Sequence, residues 1–496
     1  MNRKTPWLIL ILLAGFGLRL ILIGSRSIQY DDAFSMLLAE RSLAEIILGT
    51  GADTMPPLFY FVLHFWRMLF PGIVGARLLS VTLSMLAVYL IYELVITIAD
   101  ETTPGLIAAF LAVISPLQIY HAQDIRMYTL VLVFELCYLL WFAKLDKNGW
   151  IESWWSHWQG SALLLAGAAA LYSHNLAGFG LVIPNLYCLA RRDWKKLWKL
   201  LRMQFVIAVL FLPWLAYLPG QLEKIQTAFW TPRPGIMEIL QAAVLFISSL
   251  PLPGVWLWVG VLLSLQVVVL LVVELIRLYR NKISDRSGIT YFGIILLAPP
   301  IILFILSYLI RPVFVPRGFF ISTAGLYGLA ALVISRQWDL VGGKLVFGLL
   351  VLSAVFSLPI QISFREFPRS PFEEAAGFLT QTTGSGDVII NDNKLSHFPL
   401  VIYAPNLEMR FLTDQPGSAN DTLAVTTQIA LDQIPEKSIQ SAVDSAARVR
   451  FVVFEKTIQE YQLAGLQHPQ LVWLDSNFSL VETDRFGDLE IRTYVR

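Results

Sequence analysis

Charge is scarce in this sequence. Only 15% of its 496 residues are Asp, Glu, Lys or Arg, whereas a soluble domain carries about 25%. Hydrophobic residues make up 56% and the mean hydropathy is +0.63, so water is not the main solvent of this chain. The two cysteines, Cys137 and Cys188, sit in apolar runs, which argues against a disulfide framework and leaves the redox compartment unread. There is no Cys/His metal spacing, no Walker-type glycine loop and no Rossmann glycine fingerprint before a helix. A soluble nucleotide is therefore not an obvious substrate. The formal net charge of +1 argues against a nucleic-acid partner, and the basic residues are clustered rather than spread.

What is present is a series of apolar runs of about twenty residues, enough to cross roughly 30 Å of hydrocarbon as helices. In lipid such runs must be helical, because each backbone N–H and C=O needs a partner within its own segment. Runs near 7–24, 73–98, 104–119, 127–144, 158–173, 176–190, 203–219, 254–276, 289–310, 318–335 and 345–362 predict a polytopic α-helical membrane protein of about eleven spans. The first run follows Arg3 and Lys4 as in a signal peptide. It carries Arg19 and lacks a small-residue cleavage pattern, so an uncleaved helix is expected. Lys and Arg gather on cytoplasmic loops. In this count Arg3 and Lys4, the tract of Arg191, Arg192, Lys195, Lys196, Lys199 and Arg202, then Arg277, Arg280, Lys282 and Arg286, and finally Arg336 and Lys344 all fall on one side. The acidic loop 100–103 gives the rule no support. The order places the N-terminus in the cytoplasm and the C-terminus outside the cell membrane.

Two domains are expected, a membrane module over 1–362 and an extracytoplasmic α/β domain over 363–496. Within the module, 25–72 forms a long first outer loop. Asp32 to Leu48 has the spacing of an amphipathic helix lying along the membrane surface. Pro56-Pro57 ends it, and Leu58 to Phe70 reads as a second interfacial or re-entrant helix. A later outer loop, 220–238, holds Trp230, Pro232 and Pro234. The stretch 239–250 is ambiguous between a short span and an interfacial helix, and an extra span there would invert everything downstream. After 363 polar residues return. The pattern reads helix 371–381, strand 387–391, helix 396–403, strand 408–412, a polar helical stretch, strand 450–454, another helix and a final hairpin at Phe486-Gly487, an α/β alternation.

Chemistry concentrates at the outer ends of the spans. Asp31 and Asp32 follow Tyr30 just beyond the first span, and Asp124 opens the next outer loop within His121-Ala122-Gln123-Asp124-Ile125-Arg126-Met127-Tyr128. The bland account of Asp31-Asp32 is a capping pair for the helix that follows. Carboxylates from two loops on one face can instead converge, supplying a general base for an attacking hydroxyl or holding a divalent cation, Mg or Mn, against phosphate oxygens. Arg126, Arg317, His121, His174 and Arg311 also sit at outer span ends. Singly they read as snorkelling cations, whereas together they favour an anion such as a lipid phosphate gripped by guanidinium groups. The basic tract 191–202 reads as a topology signal meeting anionic membrane lipid. Met55 to Tyr60, with His64 and Trp66, is either a shaped lid or an aromatic belt segment.

These residues resemble a known family. Asp31-Asp32 before an outer-loop helix is similar to the Asp-Glu motif of the protein O-mannosyltransferase and aminoarabinose transferase group, C-type glycosyltransferases that use lipid-linked donors. Met55-Pro56-Pro57-Leu58-Phe59-Tyr60 resembles that group's His-Pro-Pro-Leu-Tyr-Tyr, and Gln123 to Tyr128 resembles its Gln-Glu-Ala-Arg-Met-Tyr. Tyr172-Ser173-His174 looks like Tyr-Thr-His, and Pro316-Arg317-Gly318 like Pro-Arg-Tyr. The likeness covers about 1–335 with a loosely similar C-terminal domain. It implies an inverting sugar transfer from a polyprenyl-phosphate donor to an acceptor hydroxyl. Asp31 would then be the catalytic acid or base, with Asp32 and Asp124 beside it. Tyr30, His64, His121, Arg126, Tyr128, His174 and Arg317 would contact substrate, with Asp31 and Asp124 the candidate metal ligands. Asp32 and Asp124 stand where the family has Glu, which shortens their reach by one methylene. Met55 replaces a family His and Gly318 a Tyr, so the roles of those two side chains do not transfer. The rivals are a transporter or flippase for a lipid-linked sugar, a polysaccharide polymerase or ligase, and an inactive scaffold. Intramembrane charges and paired inverted repeats, the marks of a transporter, are not evident.

Overall fold

The computed structural model describes residues 5–148, 158–227, 231, 233–280, 286–310, 312–415, 418, 421–444 and 446–496. Arg3, Lys4, Trp230, Pro232, Lys282 and Arg311 lie outside the described residues. Each apolar run read as a span is helical, and the chain is a multi-pass helical membrane protein. Among the described residues six helices are long and apolar enough to cross a membrane, or seven with one bent pair, fewer than the eleven expected. Thr5–Leu20, Trp158–Ser173, Ala177–Ala190 and Ser322–Arg336 have 16, 16, 14 and 15 residues, which at about 1.5 Å each falls short of 30 Å. The last of these is buried at every position from Ser322 to Ile334. A helix enclosed by protein need not match the bilayer thickness.

The bent pair is the expected span 104–119. Thr102–Ile114 and Pro116–Ala122 meet at 62°. Pro116 has no N–H to continue the first helix, and Ser115 caps the second by accepting from Gln118 N. The break orphans carbonyls, and a buried arginine satisfies them. Arg19 donates to Ala112 O at 3.2 Å and Val113 O at 3.1 Å, and to Ser84 Oγ at 2.9 Å. The arginine within the first helix therefore braces this break from inside the bundle.

Polar contacts segregate the loops into two ends. At one end Lys147 pairs with Asp100 at 2.6 Å, Arg336 with Glu101 at 2.6 Å and Lys196 with Asp146. There too Arg191 donates to Ser287 Oγ at 2.9 Å and Gln337 to Glu274 O at 3.3 Å. The basic tracts thus share one end, and the acids of loop 100–103 lie there because cations match them. The ambiguous stretch is a helix, Ile236–Ile247, of 12 residues. At about 18 Å it is too short to cross, and the tracts before and after it stay together.

At the other end the first outer loop holds three helices, Tyr30–Ala39, Leu43–Ala52 and Leu58–Leu69. The single helix expected over 32–48 is split at Ser42, whose side chain accepts from Glu45 N while Glu45 accepts from Ser42 N at 2.9 Å, a capping box. Tyr30–Ala39 does not lie on a lipid surface, since every residue from Asp32 to Ala39 is buried. Residues after Ser363 cover it. Ile28 N donates to Tyr403 Oη at 2.9 Å, the Tyr30 ring stacks on Phe398 at 5.3 Å, and Thr427 donates to Gly49 O at 3.0 Å.

Those later residues form an α/β unit. Its sheet runs β2-β1-β3-β5-β4, with β1 Asp387–Asn391, β2 Met409–Phe411, β3 Arg448–Phe454, β4 Ser479–Phe486 and β5 Leu489–Val495. β1 pairs in parallel with β2 and β3, and β5 lies antiparallel between β3 and β4. The hairpin turns at Gly487, where φ is +60° and a Cβ would meet Arg365 O at 2.1 Å. Only glycine suits both the left-handed backbone and that approach. The single helix expected after β3 is two, Glu455–Leu463 and Pro469–Asn477.

Candidate active site

Asp31 and Asp32 point to different partners because they occupy successive positions of one helical turn. Gln29 is the N-cap of Tyr30–Ala39, and Asp32 at N3 accepts from Gln29 N at 3.2 Å. Its other oxygen accepts from Ile125 N at 2.7 Å, so Asp32 pins the second outer loop to the first with both oxygens engaged. Burial and nearby Asp124 push its carboxyl upward, against the pull of Arg26, Arg77 and the Ile125 amide. The capping account fits Asp32.

Asp31 faces outward. Its Oδ2 accepts from Arg317 Nη1 at 3.1 Å, and its Oδ1 lies 3.8 Å from Arg126 Nη2. The Asp31 side chain is 38% exposed, as is that of Arg317. Burial works to raise its carboxyl, but Arg126 and Arg317 outweigh it and hold it below the usual carboxylate range. Arg126 is fixed from behind, donating to Tyr60 Oη at 3.4 Å, Ser35 Oγ at 3.3 Å and the Asp31 carbonyl at 3.4 Å. Arg317 enters from the short helix Pro316–Phe319 and lies 5.8 Å from the Tyr128 ring centroid. His174 is buried; burial first, then Arg126 and Arg317, pull its pKa down to about 3. Its Nδ1 accepts from Leu176 N at 3.0 Å, which leaves Nε2 carrying the proton.

Asp124 forms a second, enclosed cluster. It pairs with Arg26 and with His121 Nδ1 at 2.8 Å, and its side chain is 9% exposed. Burial favours its neutral form, yet Arg26 and His121 prevail and hold it well below the ordinary range. The His121 ring lies 4.9 Å from that of Tyr128. The structure thus brings Asp31, Arg126, Tyr128, His174 and Arg317 together, and sets Asp32, Asp124 and His121 behind them. His64 is not among them: its Nδ1 bonds Ala39 O at 2.8 Å, about 12 Å along the helix from Asp31. Tyr30 turns to the α/β unit. Sequence reasoning did not assign Tyr60, although it closes the Pro-Pro stretch, nor Arg26, which no motif marks.

The acids expected to share a cation do not fit that purpose. Asp31 and Asp124 each face arginine, and among the described residues no group of three His, Cys, Asp or Glu side chains could hold a metal.

Outer-loop helices under a C-terminal α/β unit, on a bundle whose site lies at the span ends, make up one fold. Solved structures share it along the whole chain. ArnT from Cupriavidus metallidurans in the apo state matches with a TM-score of 0.66 at 14% identity, covering 99% of this chain and 98% of that one. The same protein bound to undecaprenyl phosphate matches at 0.62, 13%, 99% and 98%. The Archaeoglobus fulgidus oligosaccharyltransferase tethered with an acceptor peptide matches at 0.54 and 13%, over 98% of this chain and 74% of that one. At these identities the likeness is one of fold, and the resemblance to the aminoarabinose transferase group extends to it. No family model and no curated protein matches the sequence.

Proposed function

We propose that the chain transfers a sugar from a polyprenyl-phosphate donor to an acceptor hydroxyl at the outer face of the cell membrane, with inversion. The observation that carries this is a partly exposed carboxylate held between two guanidinium groups, Asp31 with Arg317 and Arg126. Arg126 and Arg317 bind the donor phosphate, and the Nε2–H of His174 adds a neutral donor. Asp31 takes the acceptor proton as the hydroxyl attacks the anomeric carbon, and the lipid phosphate leaves from the opposite face. Paired with the two arginines alone, Asp31 is a weak base. A bound phosphate draws their charge to itself, so Asp31 gains proton affinity when the donor is in place. Two guanidinium groups, rather than a metal, carry the leaving charge.

A polyprenyl phosphate fits the fold's likeness to ArnT, which was solved with undecaprenyl phosphate. The cytoplasmic end is assigned to the basic tracts by their charge, which puts the site and the α/β unit outside. The test is incubation of the purified protein with a panel of polyprenyl-phosphate sugars, followed by mass spectrometry. Consumption of at least one donor is expected. No loss of any, by protein that is folded and reconstituted, would leave a scaffold or transporter as the better reading.

A further inference from the structure

A cavity of about 450 Å³ opens beside, not within, the site described above. Leu18 and Leu22 of the first-helix segment and Leu358 and Ile362 of the helix Val341–Ser363 line its apolar part. Arg26 and Arg369 line its polar part. The Arg126, Arg317 and Asp31 side chains do not contribute, and Asp124 stands behind Arg26. Arg365, Glu373 and Glu374 also line the cavity; Arg365 pairs with Glu374, and both glutamates are exposed at its rim rather than buried beside Arg369.

Arg369 is the unusual member. It is 7% exposed, its Nη1 donates to Gln361 O, and its buried Nε has no hydrogen-bond partner. Among the described residues no carboxylate pairs with it. Its guanidinium carbon and that of Arg26 each lie 4.2 Å from the Tyr120 ring centroid. Two cations thus share one ring, while Asp124, the carboxylate paired with Arg26, is also engaged by His121 and forms no ion pair with Arg369. A buried guanidinium in this position is costly unless an anion joins it, and burial already lowers the Arg369 pKa to about 10.

We infer that this cavity binds a second phosphorylated lipid, distinct from the donor, with its phosphate between Arg369 and Arg26 and its chains along Leu18, Leu22, Leu358 and Ile362. The apolar wall comes from two membrane helices, so the chains reach the bilayer without crossing polar surface. That wall is what selects a lipid over a small phosphate.

The test uses the purified full-length protein titrated with dioleoyl phosphatidic acid and read by native mass spectrometry. An Arg317→Gln background weakens the proposed donor site. One phosphatidic acid is expected to bind there still, and adding Arg369→Gln should weaken it by about tenfold or more, the worth of a charge-assisted hydrogen bond. Leu358→Trp, which fills the apolar part and spares both arginines, should do the same. Thermal melts establish that the variants are folded. Dioleoylglycerol and glycerol 3-phosphate should each bind at least about tenfold more weakly than phosphatidic acid. Unchanged binding in both folded variants overturns the inference. So does glycerol 3-phosphate matching phosphatidic acid, which means a small-anion site, or dioleoylglycerol matching it, which means a groove indifferent to charge. None of these readouts depends on sugar transfer, so they stand whether or not the donor reading holds.

Discussion

Two acid–base clusters lie at the same end of the bundle, built from neighbouring stretches of chain, yet they differ in access. In the Asp31 cluster the carboxylate and Arg317 are each 38% exposed, with Arg126 buried beside them. In the Asp124 cluster the acid is 9% exposed and is matched by Arg26 and His121. Both carboxylates are held in their charged form by arginine. Only the Asp31 pair is exposed enough to exchange its partner for a bound molecule. Pairing alone therefore does not mark a catalytic acid, and exposure decides between a group that reacts and a group that fastens two loops together.

The comparison breaks most sharply at Asp31. Asp31→Asn should lower transfer by about 10²–10⁴-fold, the usual loss of a general base, with only a small fall in melting temperature. Full activity in reconstituted membranes would remove Asp31 from the reaction.

Asp124→Asn should do the reverse. Deleting one partner of a buried pair costs about 3–5 kcal/mol because the other charge stays buried. A lower melting temperature and poorer yield are expected, with residual transfer per folded molecule well above that of Asp31→Asn. Equal melting temperatures for the two variants would dissolve the distinction.

Much of this division was legible in the sequence, and the reasons for the remainder are physical. Apolar runs gave every membrane helix, because in lipid a run that long has no alternative to a helix. Their lengths misled, since Ser322–Arg336 is enclosed by protein rather than lipid. The breaks at Ser42 and Ser115-Pro116 were readable as a capping box and as a proline after a cap, and the hydrophobic pattern masked them. Asp31, Arg126, His174 and Arg317 share motifs with a family, and the structure brings them together. Asp31 and Asp32 could not be told apart by spacing: one helical position turns a side chain by about 100°, and only the position of Ile125 N fixes which acid points inward. Tyr60, Arg26 and Arg369 required knowledge of what folds against them.

A pH series sharpens the same contrast by a smaller effect. The folded Asp31 pKa is lowered, so its ionisation and the stability from its pairing are fully present above the ordinary carboxylate value of about 3.9. They are lost only as pH falls through the lowered value. kcat/KM should therefore stay level on moving from neutral pH to about 5, a window in which His174, with a pKa of about 3, is also neutral. Arg317→Gln removes one of the two downward pulls on Asp31. Besides weakening donor binding, it should move the acid limb to higher pH. A limb that stays in place would mean that Arg126 alone sets the charge state of Asp31.

The smallest effect expected is none at all, from a chelator. Asp31 and Asp124 engage separate arginines, and these guanidinium groups already supply the positive charge that a divalent cation would bring to a leaving phosphate. Transfer after dialysis against EDTA should match the untreated protein. If activity falls and Mg or Mn restores it, the donor phosphate must itself complete a cation site with the exposed Asp31. Arg126 and Arg317 would then position the phosphate without neutralising it, and replacing either by Lys, which keeps the charge but loses the fork, would impair transfer as much as Gln does.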